Sequence, residues 1–179
     1  MSADWRDAST SPLPTWLSIV RLVSAKDVLD YHSALMIAFA PDEDINSSNV
    51  HAEAVIYTPH GINAADLSVV AAAKPPIQTL AFLHGLHDIQ IAPGKQLNLG
   101  AHNGLQAQRL LDARYWISTH DEVKRGGGFV SWLLKRRTIT LKEALDQERS
   151  NDLESRKVAK DWKDVRFVEL GNGESAVLV

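Results

Sequence analysis

Three apolar segments of strand length each run into a histidine. Val55-Ile56-Tyr57-Thr58-Pro59 leads to His60-Gly61, and Thr79-Leu80-Ala81-Phe82-Leu83 leads to His84-Gly85-Leu86-His87-Asp88. Tyr115-Trp116-Ile117-Ser118-Thr119 leads to His120-Asp121-Glu122. Apolar runs of about 4–8 residues bounded by turn residues are the pattern of buried strands. A sheet that sets such ends side by side collects imidazoles and carboxylates at one edge, where α/β proteins bind ligands. A single strand-end histidine is more often a hydrogen-bonded structural residue than a ligand. The recurrence carries the argument.

The order of elements supports a sheet of this kind. Residues 33–40 (SALMIAFA) and 52–58 read as strands joined by the acidic loop 41–49, an antiparallel pair with a long turn. Asn63 is placed to cap a helix through the alanine-rich run to Ala73, which Lys74-Pro75-Pro76 stops. The strand 78–83 follows, so strand, helix and strand predict a parallel crossover. Leu105, Leu110 and Leu111 mark a second helix over 103–112, and the strand 114–118 completes a second crossover. His60, His84, His87 and His120 then lie on one edge.

Elsewhere the expectations are local. Residues 1–24 read as a disordered or loosely packed lead-in, within which 16–23 is either a strand or a peripheral helical turn. Residues 25–179 read as one domain. Ala92-Pro93-Gly94-Lys95 is loop, and Gly126-Gly127-Gly128 is a turn before a short apolar helix. That helix should end in Lys135-Arg136-Arg137, where cations favour its C-terminus. Lys124 and Arg125 do not make the glycine run a phosphate loop, because the required order of Gly, Lys and Ser/Thr is absent. Thr140 and Glu143 match a capping box, and Gly171-Asn172-Gly173 is placed to join a C-terminal hairpin.

Composition narrows the function. The net charge of −3 gives no electrostatic case for nucleic acid as a partner. With no cysteine, thiolate sites are excluded and His, Asp and Glu remain as metal ligands. No apolar run reaches the roughly 20 residues of a transmembrane helix, and Asp4, Arg6 and Asp7 interrupt a signal-peptide pattern. A soluble, cytoplasmic protein is the expectation. There is no G-x-S-x-G, G-x-G-x-x-G or H-E-x-x-H segment. The candidate metal ligands are His60, His84, His87 and His120, with zinc the first candidate ion. Asp88 and Asp121 are candidates to bind metal or orient an imidazole. His102 is placed to cap the second helix or line the cleft, while His32 reads as structural and His51 lies at the wrong strand end. The competing interpretation is that these histidines satisfy buried backbone groups near turns and bind no metal.

The ordered segments YTPHG (57–61), LHGLHD (83–88), QLNLGAHNG (96–104) and YWISTHDE (115–122) resemble the C-terminal part of a fungal branch of the metallo-β-lactamase superfamily. The resemblance spans about residues 30–140. It implies an α/β (α+β mixed) fold, namely part of a four-layer αββα sandwich with a mixed sheet and flanking helices. It implies that His120 matches the last metal-binding histidine of the family. His60 stands where the family usually has a metal-bridging Asp, and His84 and His87 lie at a strand end facing the cleft. The implied reaction is attack by metal-bound hydroxide on an ester, amide, lactone or phosphodiester, with a small-molecule or lipid-like substrate. The family's H-x-H-x-D-H segment is not present in the 179 residues. The expectation is therefore a shortened or degenerate domain with an incomplete site and weak or no activity. The alternative is a non-catalytic module that forms homo-oligomers through an exposed sheet face.

Overall fold

Alternating burial along the first three strands sets the main sheet. In β2 (Ser33–Phe39), Ala34, Met36 and Ala38 are buried, while Leu35 and Phe39 point the other way. β2 pairs antiparallel with β1 (Leu17–Val23) on one side and with β3 (Ala52–Thr58) on the other. The computed structural model describes residues 13–14, 16–24, 27, 31–40, 51–119, 121, 127–154 and 166–178. β1 places residues 17–23, assigned above to the loosely packed lead-in 1–24, inside this sheet. Its alternation is regular enough to settle the strand-or-helix question: Ser18 and Val20 are buried, and Ile19 and Arg21 are not.

The first crossover forms as its sequence predicts. The Asn63 side chain accepts a hydrogen bond from the Ala65 amide, starting a 3₁₀ turn at Ala64–Leu67 that continues into α1 (Ser68–Ala71). The Asn cap satisfies an amide that the first turn leaves without an internal acceptor. β4 (Ile77–His84) then pairs parallel with β3. After α2 (Ala101–Leu111), β7 (Tyr115–Ile117) pairs parallel with β4. A last strand, β9 (Arg166–Val168), pairs parallel with β7, giving the order β1-β2-β3-β4-β7-β9.

β9 differs from the expected C-terminal hairpin. Gly171 and Glu174 do close a turn, but 174–178 is irregular, and the strand before the turn joins the parallel side of the sheet. A turn signal fixes only local geometry, and the Trp116–Phe167 edge-to-face contact (5.6 Å between centroids) gives β9 a deeper partner.

A second, three-stranded sheet has the order β6-β5-β8 and is fully antiparallel. It consists of β5 (Asp88–Ile91), β6 (Lys95–Asn98) and β8 (Leu134–Arg137). The loop expected at 92–95 is the tight turn between β5 and β6. The basic run 135–137, expected at the C-terminus of a helix, lies instead on β8. The helix before it, α3, is only Phe129–Leu133, and the chain turns extended at Leu134.

The core lies between the main sheet and the helices. Trp116, Phe82, Met36, Ile56, Ile62, Leu67 and Leu105 are its largest fully buried apolar side chains. Burying each stabilises the fold by about 1.5–3 kcal/mol relative to exposure. The last helix, α4 (Leu141–Glu154), opens on the predicted capping box. The Glu143 amide donates to Thr140 Oγ1 (3.2 Å), and the Thr140 amide donates to Glu143 Oε2 (2.8 Å). The Thr140 amide and the Thr140 hydroxyl (2.8 Å), both donating to Glu143 Oε2, hold the Glu143 carboxyl below its ordinary range. Among the described residues no helix is long and apolar enough to cross a membrane.

Candidate functional site

β3, β4 and β7 are parallel neighbours, so their carboxyl ends leave the sheet together. Thr58, His84 and Ile117 stand at those ends. Segments 58–61, 84–88 and 98–101 meet there with Ser118, Thr119 and Asp121. Their closeness shows at the glycines. A methyl group on Gly85 would lie 2.6 Å from the Thr119 carbonyl oxygen, and one on Gly100 would lie 2.6 Å from that of Leu86. Gly61 has φ +83° and packs on Leu99 and His84, so it is suited to glycine on both counts.

His84 is the centre of the cluster and is 1 % exposed. Its Nε2 lies 3.2 Å from the Gly100 carbonyl oxygen, which can only accept, so this nitrogen carries the proton. Nδ1 must then accept, and the Thr58 hydroxyl donates to it at 2.7 Å. Phe82 stacks on the ring, and the Trp116 indole donates to the His84 carbonyl oxygen at 2.9 Å. Burial lowers the imidazole pKa from 6.5 to about 4, because the cation loses its hydration. His84 is thus a neutral structural centre with both ring nitrogens engaged.

Asp121 closes the next loop. Its carboxylate accepts the Leu86 amide (2.8 Å to each oxygen), the His87 amide (3.0 Å) and the Ser118 hydroxyl. His87 Nδ1 lies 3.7 Å from the same carboxylate, an electrostatic rather than a hydrogen-bonding distance. Asp88 Oδ1 accepts from the Gln96 amide group at 2.9 Å and from the Gly100 amide at 3.2 Å. Both carboxylates therefore hold loops.

His60 differs. Its Nδ1 lies 3.1 Å from Asn98 Oδ1, an acceptor, which puts the proton on Nδ1 and the lone pair on Nε2. A ligating histidine commonly has one ring nitrogen fixed by an acceptor in this way. Tyr31 stacks on the ring at 4.3 Å, fixing its plane.

His120 lies outside the described residues. His102 takes part in other contacts: Nδ1 is 2.9 Å from Glu148 and Nε2 is 3.0 Å from Gln147, so it joins α2 to α4. His32 pairs with Asp27 at 3.1 Å, and His51 is exposed at the start of β3. Among the described residues, no three His, Asp or Glu side chains form a group able to hold a metal ion. Beside Asp121 a cleft opens at the ends of β7 and β9, lined by Ser118, Thr119, Asp121, Glu169, Leu170, Gly171 and Asn172.

The sequence reading missed Thr58, Asn98 and Gly104. Gly104 had a signal, since a glycine inside a helical pattern marks close packing. Here a methyl group would lie 2.5 Å from His84 and 2.6 Å from Trp116. No family model matches this chain, and no curated protein or solved structure matches it. Fold and cluster together define a mixed α/β protein with histidines gathered where parallel strands end.

Proposed function

We propose that this chain is a metallo-β-lactamase-like half-domain that contributes a partial divalent-metal site to a hydrolase. The observation that supports it is His60, which follows the end of β3 and whose ring is held by Asn98 and by the stacked Tyr31. His120 and His87 are the proposed companions, and His84 is the buried support of the strand-end cluster. The described residues alone do not fit a complete metal centre, because Asp88 and Asp121 are engaged by loop amides. Zinc binding by this chain is therefore weak, and turnover of an ester, lactone or phosphodiester is low or absent. Calorimetric zinc titration tests this: His60→Ala and His120→Ala should each weaken binding by about tenfold or more. Affinity unchanged in both variants removes the site assignment.

A second reading, a non-catalytic module that self-associates, is favoured by the sheet face opposite the helices. Antiparallel strands usually carry polar residues on such a face. Here Ile19, Leu35 and Phe39 are 38–40 % exposed, and Ile37 pairs with both Ile19 and Val55 across the strands. An apolar row of this kind, bordered by Arg21 opposite Leu35 and Glu53 opposite Phe39, marks an interaction face. Light scattering should show a concentration-dependent dimer that Leu35→Glu dissociates. A monomer at all concentrations removes this reading.

A further inference from the structure

We propose that the corner formed by α3 and β8 is a contact site for an anionic lipid bilayer. Phe129 is 73 % exposed and Trp132 is 78 % exposed, the most exposed aromatic side chains among the described residues. Their ring centroids are 5.9 Å apart with planes tilted by 36°, so they project as one apolar knob. Isolated apolar residues on a surface are ordinary, but an adjacent, projecting Phe and Trp are not.

The charge around the knob has the opposite sign to the whole chain. Net charge is −3, yet Lys135, Arg136 and Arg137 follow directly on β8, and all three are exposed. The strand register sets exposed Lys95 in the row Lys95–Ile91–Leu134, at the α3 end of the small sheet. Arg137 also donates to Gln147 on α4 at 2.9 Å. The principal cations are therefore Arg136 and Lys95, on the face of Ile91 and Leu134, and Lys135, on the other face of the edge strand. β8 is an edge strand, and the Ala92 amide donates to the Leu133 carbonyl oxygen at 3.0 Å, so the knob is mounted on hydrogen-bonded backbone.

A lipid surface satisfies both halves of this patch. Trp and Phe rings partition into the interfacial zone, and Lys and Arg pair with anionic headgroups around them. Each cation near such a surface strengthens binding about fivefold, so a few cations and two rings give weak, reversible, salt-sensitive attachment. The same geometry suits no spanning segment, since α3 has only five residues. This inference stands apart from the metal site, and its readout does not depend on it.

Cosedimentation of the full chain with phosphatidylcholine vesicles, with and without about 30 % phosphatidylserine, tests the proposal. Binding is expected only to the anionic vesicles and is expected to fall with salt. A Phe129→Ser/Trp132→Ser variant should lose about tenfold or more, and Lys135→Glu/Arg136→Glu about 25-fold or more. Circular dichroism on each variant, and Trp132→Ser alone as a milder change, separate lost binding from lost folding. No binding by the folded wild-type chain, or binding unchanged in folded variants, overturns the proposal. So does a patch that proves to be a self-association contact, with light scattering altered by Phe129→Ser/Trp132→Ser and vesicles ignored.

Discussion

The Thr58 hydroxyl donates to Nδ1 of His84 across 2.7 Å, joining the ends of two neighbouring parallel strands through a pair of buried side chains. The imidazole's other nitrogen is bound to the Gly100 carbonyl oxygen. The ring therefore ties β3, β4 and the entry to α2 together. Thr58→Val keeps the shape but leaves Nδ1 buried without a donor. The expected cost is about 1–3 kcal/mol, read as a melting temperature lower by roughly 3–10 °C.

The same ring makes stability depend on pH. His84 has a pKa of about 4 in the folded protein, against 6.5 for an unperturbed imidazole, because it is fully buried. The unfolded chain thus binds more protons between these values. Its contribution is complete above pH 6.5 and is lost as pH falls from 6.5 towards 4. The loss is about 3 kcal/mol over that window. Denaturant titrations at pH 7 and pH 4.5 should show this decline, and His84→Gln should flatten it.

Gly104 inverts an ordinary rule. Glycine within a helix usually costs stability, so replacement by Ala is expected to gain up to about 1 kcal/mol. Here the new methyl group would lie 2.5–2.7 Å from His84 and Trp116. Gly104→Ala should therefore destabilise by about 2–3 kcal/mol through overpacking. Urea unfolding measures both sign and size.

Asp121 holds the 85–87 loop through the Leu86 and His87 amides. Asp121→Ala removes an ionised acceptor from both, at an expected cost of about 2–4 kcal/mol. Hydrogen exchange at the Leu86 and His87 amides should accelerate more than at Phe82, inside β4. Uniform acceleration would mean that the carboxylate supports the whole fold and not this loop.

Much of the sheet was legible because its signals are local. Apolar runs of strand length, the Asn63 cap and the Pro75-Pro76 stop each act within a few residues, and together they set the antiparallel pair and both parallel crossovers. β5, β6 and β8 were not legible, since Gln90, Gln96, Lys135 and Arg136 carry no apolar period. Their pairing is set by the tight turn at 92–94 and by the neighbouring strands. At the candidate site, sequence placed His60, His84 and His87 at one edge but not the tautomers of His60 and His84. The tautomers follow from Gly100 and Asn98, far away in the chain. Thr58 was read only as strand, because a threonine gives no sign of which partner its hydroxyl will meet.

Where Gly85 and Gly100 face carbonyl oxygens 2.6 Å from a would-be methyl group, no single loop can be lengthened or reshaped without displacing another. Insertions will be accepted at the tip around Gly94 and near Gly127, where that same methyl group would meet nothing within 4 Å. Chemical novelty at the strand-end cluster is thereby confined to exchanging side chains, such as those at 60 and 87, on a backbone that stays put.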